Sequence, residues 1–286
     1  MEILLLNILN GLSWGMLLFL ISIGLTIILG VMGILNFAHG SFFMLGAYLC
    51  MQSMKLFESF WLGMLVGPLI AVFIGVIIEK FLLKKIYGRD ITFQLLLTFG
   101  LLLIIDDAVK MIWGAGYHVV EPPQILRGII TILGQDYPIY RIFIIFFGIF
   151  IGICLWLFFK YSRTGKIIRA SAYDREMAEG LGINVSALYT AVFALGTWLA
   201  AIGGVLASPH QSLIPSMGER IIIESFIIVV IGGMGSFPGA LIGALILGIC
   251  DSFGTVFAGR FQMAIPYILL ATILIFRPRG LFGKTT

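Results

Sequence analysis

Apolar runs recur along the entire chain, at about residues 4–32, 41–54, 60–79, 91–113, 138–159, 185–208, 221–231, 238–257 and 262–276. No single aqueous core can bury that much apolar surface. A helix of about 20 apolar residues covers the ~30 Å hydrocarbon core of a bilayer, so most of these runs predict membrane crossings. Composition agrees: 60% of the 286 residues are hydrophobic and 11% are charged, against roughly 25% charged in soluble proteins. A soluble enzyme, a disordered tail and a secreted disulfide scaffold are excluded. The expectation is an all-α integral membrane protein of about eight transmembrane helices with discontinuous segments, one domain spanning residues 1–286.

Two places break the helical pattern. The run 221–231 has eleven residues, or about 17 Å of rise, roughly half the hydrocarbon core, and predicts a half-helix. The stretch Gly33-Ile-Leu-Asn-Phe-Ala-His-Gly40 interrupts the N-terminal apolar region before Ser41, which is placed to cap a new helix. Non-helical backbone at membrane depth persists only where it is buried in protein or lines a wet cavity. Both breaks therefore point toward a pathway.

Basic residues mark orientation. Of the eighteen Lys and Arg, four lie between Lys80 and Arg89, five between Lys160 and Arg175, and three are Arg277, Arg279 and Lys284. The positive-inside rule puts these stretches in the cytoplasm, with the N-terminus outside and the C-terminus inside. Because they punctuate apolar runs, the net charge of +4 reports topology, and nucleic acid is not an expected partner. The first run follows Met1-Glu2 without a basic leader and is expected to stay as a span. Cys50, Cys154 and Cys250 lie in apolar runs and read as packing residues. Four-residue glycine spacings (Gly11 and Gly15, Gly63 and Gly67, Gly148 and Gly152, and Gly235, Gly239 and Gly243) predict closely packed helices without naming partners.

Catalytic and nucleotide motifs fail on inspection. Gly280-Leu-Phe-Gly283-Lys284-Thr285 resembles a phosphate loop, but Pro278 stands where its first glycine belongs and no helix is expected after it. Tyr173-Asp174 with Gly180-Leu-Gly182 lacks the second aspartate of a membrane protease, since Ile183 occupies that position. His39, His118 and His210 have no metal-ligand spacing. The remaining charged groups near spans have local explanations: Asp106, Asp107 and Lys110 as an interfacial cluster, and Arg220 with Glu224 as an ion pair one turn apart. Asp251 stays open. The polar segment at about 160–184 differs, because Asp174 can open a short helix that Gly182 ends, with Met177 and Leu181 as its apolar edge. That is equally the shape of a docking element and of an ordinary cytoplasmic loop.

Three stretches carry a resemblance: Asn36-Phe-Ala-His-Gly40-Ser-Phe-Phe-Met-Leu-Gly-Ala-Tyr48, Arg169 to Asn184, and Gly232-Gly-Met-Gly-Ser236 with Pro238-Gly239. In that order, and with Arg277-Pro-Arg-Gly280-Leu-Phe-Gly283, the whole chain resembles the permease subunits of branched-chain amino acid ABC importers, in the LivH-like branch. The resemblance implies ABC importer permease architecture in a bacterial or archaeal cytoplasmic membrane, surrounded by lipid. It also implies a second, LivM-like permease, two ATP-binding subunits and an extracytoplasmic substrate-binding protein as partners. No cofactor is expected on this chain, with ATP and Mg on the partner subunits. Asp174, Arg175, Glu176, Ala178, Gly180 and Gly182 match the family's ATPase-coupling helix. Asn36, Phe37, His39, Gly40, Ser41 and Phe42 are the expected substrate pathway, polar groups for a zwitterion beside apolar walls for its side chain. Gly232, Gly233, Gly235, Ser236, Pro238 and Gly239 are expected at a gate or helix-packing contact. The alternative is an ion-coupled secondary transporter or channel for small solutes such as urea or amides, with Asp106 and Asp107 carrying the coupling.

Overall fold

A computed structural model describes residues 2–132 and 134–283, and Lys284 and Thr285 lie outside them. Eleven α-helices are described: α1 (Glu2–Met32), α2 (His39–Phe57), α3 (Phe60–Phe81), α4 (Ile91–Trp113), α5 (Ile139–Tyr161), α6 (Arg163–Tyr173), α7 (Arg175–Gly180), α8 (Val185–Ala207), α9 (Met217–Gly232), α10 (Phe237–Phe257) and α11 (Ile265–Phe276). Among the described residues six segments are long and apolar enough to cross a membrane: α1, α3, α5, α8, α10, and Gly259–Phe276, where a 3₁₀ turn leads into α11. With α2 (19 residues) and α4 (23 residues) they make eight segments of membrane-spanning length. A short hairpin, β1 (Ile129–Ile132) and β2 (Gln135–Pro138), ornaments the loop before α5. The hydropathy pattern did not mark it.

α1 and α8 form the centre. Their hydrophobic windows are 78% and 72% buried, against 22% for α5, so α5 presents most of its face outward while α1 and α8 are sheathed by protein. Backbone approach explains why small residues occupy the crossings. A Cβ on Gly11 would lie 2.6 Å from the Ile249 Cα, and one on Gly248 would lie 2.5 Å from the Gly15 nitrogen, so α1 and α10 touch backbone to backbone. The other spaced glycines acquire partners in the same way: Gly63 and Gly67 face Cys50 and Gly46 of α2, and Gly148 faces Met16 of α1. Cys50 packs as expected, but Cys154 is exposed and Cys250 half-buried, because they lie on outward faces of α5 and α10.

All three basic stretches come to one end of the bundle. Tyr87, beside the first, packs edge-on against Tyr189 at 5.4 Å, and the Arg175 guanidinium lies 5.6 Å from the same ring. Lys160, Arg169 and Arg279 line one cavity of about 1010 Å³ with Trp156, Phe159 and Phe237. Glu79, fully buried at the end of α3, pins this end: the Tyr87 hydroxyl donates to Oε1, and the Thr190 hydroxyl donates to Oε2 at 2.8 Å. Both carboxylate oxygens are thus satisfied, as burial demands. In the sequence Glu79 merely closed an apolar run.

Candidate functional site

The first break is built by residues 33–38. α1 stops at Met32, Gly33 adopts φ +66, and the chain turns back beside α4. Gln94 and Thr98 of α4 hold it: the Leu35 N–H donates to Gln94 Oε1 at 3.4 Å, and the Thr98 hydroxyl donates to the Leu35 carbonyl at 3.1 Å. Irregular backbone inside the bundle thereby recovers the hydrogen bonds that helix would have provided. α2 then starts at His39, two residues before the expected cap. The His39 N–H bonds to the Asn36 carbonyl, so the turn closes on backbone, and Ser41 lies inside the helix instead of capping it.

His39 anchors the break to α1, with Nε2–H donating to the Ile21 carbonyl at 3.0 Å. That bond leaves Nδ1 of a neutral ring as an acceptor. Asn36, His39 and Ser41 are fully buried, and Asn36 Oδ1 and Nδ2, His39 Nδ1 and Ser41 Oγ have no hydrogen-bond partner. Most buried polar groups are paired, so this concentration singles the break out. Phe37 reaches across to Phe226 of α9 at 4.8 Å and Phe99 of α4 at 6.3 Å, while Phe42 packs edge-on against Phe193 of α8 at 5.9 Å.

The second break lies against the first. α9 is sixteen residues long, not eleven, because the charged turn carrying Glu219 and Arg220 stays helical ahead of the apolar run. At about 24 Å it remains short of a full span. Its first turn meets the first turn of α2 at glycines: a Cβ on Gly218 would sit 2.9 Å from the Gly40 carbonyl oxygen, and one on Gly40 would collide with the Gly218 carbonyl. Of the two, only Gly40 stood out in the sequence. Gly218 lay in a polar loop with no spacing signal.

The acidic cluster on α4 divides. Lys110 pairs with Asp107 at 3.0 Å, one turn in register, and both are exposed. Asp106 faces inward, 2% exposed, with Oδ1 unpartnered, so it does not belong to the interfacial group expected for it. Successive residues on a helix point about 100° apart, which sends neighbouring aspartates to opposite environments.

At the basic end α6 and α7 follow α5. The Ser162 hydroxyl accepts from the Gly165 N–H at 2.9 Å and caps α6, a helix not anticipated because its buried edge, Gly165, Ile168 and Ser171, contains one apolar side chain. Asp174 caps α7 as expected, accepting from the Met177 N–H at 2.9 Å. Arg175 and Glu179 pair at 2.9 Å, Ala178 is buried, and Gly182 at φ +82 turns the chain toward α8. The Glu179 carboxylate raises the Arg175 pKa above its ordinary value. Glu176, Met177, Gly180 and Leu181 are exposed.

Gly233, Gly235 and Ser236 lie in the turn between α9 and α10, with Gly232 ending α9 and Pro238 and Gly239 in the first turn of α10. Ser236 caps α10 by accepting from the Gly239 N–H at 3.1 Å, and Gly232 and Gly239 contact each other through backbone. The C-terminal segment folds over this turn, Leu281 N–H bonding to the Ile231 carbonyl at 2.7 Å and Phe282 N–H to that of Gly232 at 3.1 Å. Here the geometry is close packing, with Gly233 at φ +94 under the Gly283 backbone.

A multi-pass bundle with two helix breaks meeting at its centre and a short helix pair at its basic end has the architecture of an ABC importer permease. The family model described as "Branched-chain amino acid transport system / permease component" matches residues 7–276, and the chain belongs to that family. It is 31% identical to the high-affinity branched-chain amino acid permease protein BraD of Pseudomonas aeruginosa, over 97% of this chain and 95% of that one. It is 29% identical to LivH of Escherichia coli K12, over 96% and 94%. The probable LivH permease of Methanocaldococcus jannaschii is 28% identical, over 93% and 89%. No solved structure matches the chain.

Proposed function

We propose that this chain carries branched-chain amino acids across the cytoplasmic membrane as the permease subunit of an ATP-driven importer. The observation that supports it most is the meeting of the two breaks at Gly40 and Gly218, beside buried and unpartnered Asn36, His39 and Ser41. A zwitterion needs both donors and acceptors. Asn36 Nδ2 and the Ser41 hydroxyl can donate to its carboxylate, while Asn36 Oδ1 and His39 Nδ1 can accept from its ammonium. Phe37 and Phe42 supply apolar surface. Because Asn36, His39, Ser41 and Phe42 are sealed, cargo reaches them only when helices part, which is the alternating-access step.

Energy comes from elsewhere in this reading. The exposed edge of α7 seats in a cytoplasmic ATPase, and two such subunits bind ATP and Mg. A LivM-like second permease completes the path, and an extracytoplasmic binding protein delivers cargo. The basic end faces the cytoplasm, which puts the N-terminus outside and the C-terminus inside. Residues 160–184 are then the cytoplasmic coupling segment of a single permease domain. Mass spectrometry of the tagged chain purified from its native membrane in mild detergent tests this assembly. Two ATPase chains and a second permease are expected, and repeated purification of the chain alone in active form would contradict it.

The break makes its own prediction. His39→Ala and Asn36→Ala are expected to lower the uptake rate about tenfold or more at unchanged membrane expression, on the scale of a lost hydrogen bond to a charged group. Unchanged rate and cargo preference in both variants would remove the break from the pathway. Buried Asp106 is the observation favouring an ion-coupled reading instead. That reading requires uptake to follow an ion gradient and to fail in Asp106→Asn.

A further inference from the structure

A second polar cavity, of about 390 Å³, lies between α9, α10 and α11, on the far side of the α9 first turn from Gly40. Glu219, Arg220, Glu224 and Asp251 all line it. The expected ion pair is present, Arg220 Nε to Glu224 Oε1 at 2.9 Å. It leaves three things unused. Glu224 is 6% exposed, yet its Oε2 has no partner. Asp251, which the sequence left open, accepts from Gln262 Nε2 at 3.2 Å through Oδ1 alone, so Oδ2 takes no part in that bond. Arg220 uses Nε on Glu224, and its side chain is 60% exposed, so the outer guanidinium nitrogens are accessible.

Three carboxylates against one guanidinium make a cavity that attracts a cation, and a buried carboxylate oxygen without a partner is costly in a membrane protein. The geometry narrows which cation. Among the described residues no three His, Cys, Asp or Glu side chains converge as a metal-ion cage requires. A ligand with its charge on a larger group fits better, and the free face of Arg220 adds a place for an anion beside it. Ile223, Ile227, Pro266 and Tyr267 complete the wall with apolar surface. The volume falls at the small end of the ~300–1,000 Å³ range of small-molecule sites.

We infer that this cavity is an α-amino-acid site, in which Glu224 and Asp251 take the ammonium group, Arg220 takes the carboxylate, and the apolar wall takes the aliphatic side chain. It is a station on the route that leads to the break: α9 carries both, Glu219 and Arg220 facing the cavity while Gly218 faces Gly40. The inference rests on the chain being an amino acid permease, and it adds residues that neither the break nor the coupling helix includes.

The test uses the complete transporter in lipid nanodiscs without the binding protein, and measures binding of radiolabelled L-leucine in competition with 4-methylpentanoate, which lacks the ammonium group. Saturable leucine binding is expected. Glu224→Gln should weaken it about tenfold or more while leaving 4-methylpentanoate affinity unchanged, and Arg220→Gln should weaken both. Asp251→Asn carries the Glu224 expectation without touching the ion pair, and serves if Glu224→Gln disturbs assembly. Unchanged leucine affinity in correctly assembled Glu224→Gln and Asp251→Asn transporters would overturn the site. Uptake by the unaltered transporter with its binding protein separates the two levels. Leucine import with unaffected variants refutes this cavity alone, whereas no branched-chain amino acid import refutes the functional reading and the cavity with it.

Discussion

Gly40→Val is expected to reduce uptake more than tenfold and to lower the yield of assembled chain. A Cβ at this position collides with the Gly218 carbonyl oxygen and comes within 2.8 Å of the Ile222 Cβ, while the reciprocal position, Gly218, has 2.9 Å to the Gly40 carbonyl. Neither backbone can yield easily. α2 is held there by the His39 bond to Ile21, and buried over most of its length. Overpacking a tight contact costs about 1–3 kcal/mol, and more when the obstacle is backbone. Gly100→Ala is the matched control, since a Cβ there meets nothing within 4 Å on helical backbone. It is expected to leave uptake and yield unchanged. Membrane yield, gel-filtration profile and initial uptake rate check the pair. Normal transport by Gly40→Val would mean that the two breaks do not need their close approach.

The second large effect is uncoupling without unfolding. Met177 in α7 is 61% exposed and Leu181, which caps its C-terminus, is 74% exposed, and α7 offers little else apolar to a partner. In the importer proposed above, these two side chains are the apolar edge that seats in the ATPase. Met177→Asp with Leu181→Asp is expected to lower binding-protein-stimulated ATPase activity and uptake by tenfold or more. Thermal stability of the purified chain should be unchanged, because neither side chain is buried. Ala178→Glu is the contrasting variant: Ala178 is 3% exposed, so a buried charge there should lower stability as well as coupling. Retained ATPase stimulation in the double variant would place the docking surface elsewhere.

The sequence was most informative where structure is local. Spans, the interruption at Gly33–Gly40 and the Asp174 cap followed from runs of residues and their neighbours, since hydropathy, glycine and capping act over a turn or two. Boundaries slipped where local rules compete. α9 absorbs Glu219 and Arg220 because Arg220 pairs with Glu224 on the next turn of the same helix, which an apolar count cannot register. α6 escaped notice because two of its three buried positions are Gly165 and Ser171. What the sequence could not reveal is which faces meet. Gly218 opposite Gly40, Glu79 beneath Thr190, and Asp251 in one cavity with Glu224 bring together residues between 27 and 178 positions apart in the chain. Such contacts depend on how helices cross, and spaced glycines announce close crossing without naming the partner.

Leucine uptake into proteoliposomes holding this chain with the proposed second permease, two ATPase subunits and external binding protein tests the central claim most directly. Accumulation is predicted to require ATP on the ATPase side, to require the binding protein, and to ignore collapse of proton and sodium gradients. Accumulation that persists without the ATPase subunits and follows an imposed ion gradient would contradict it.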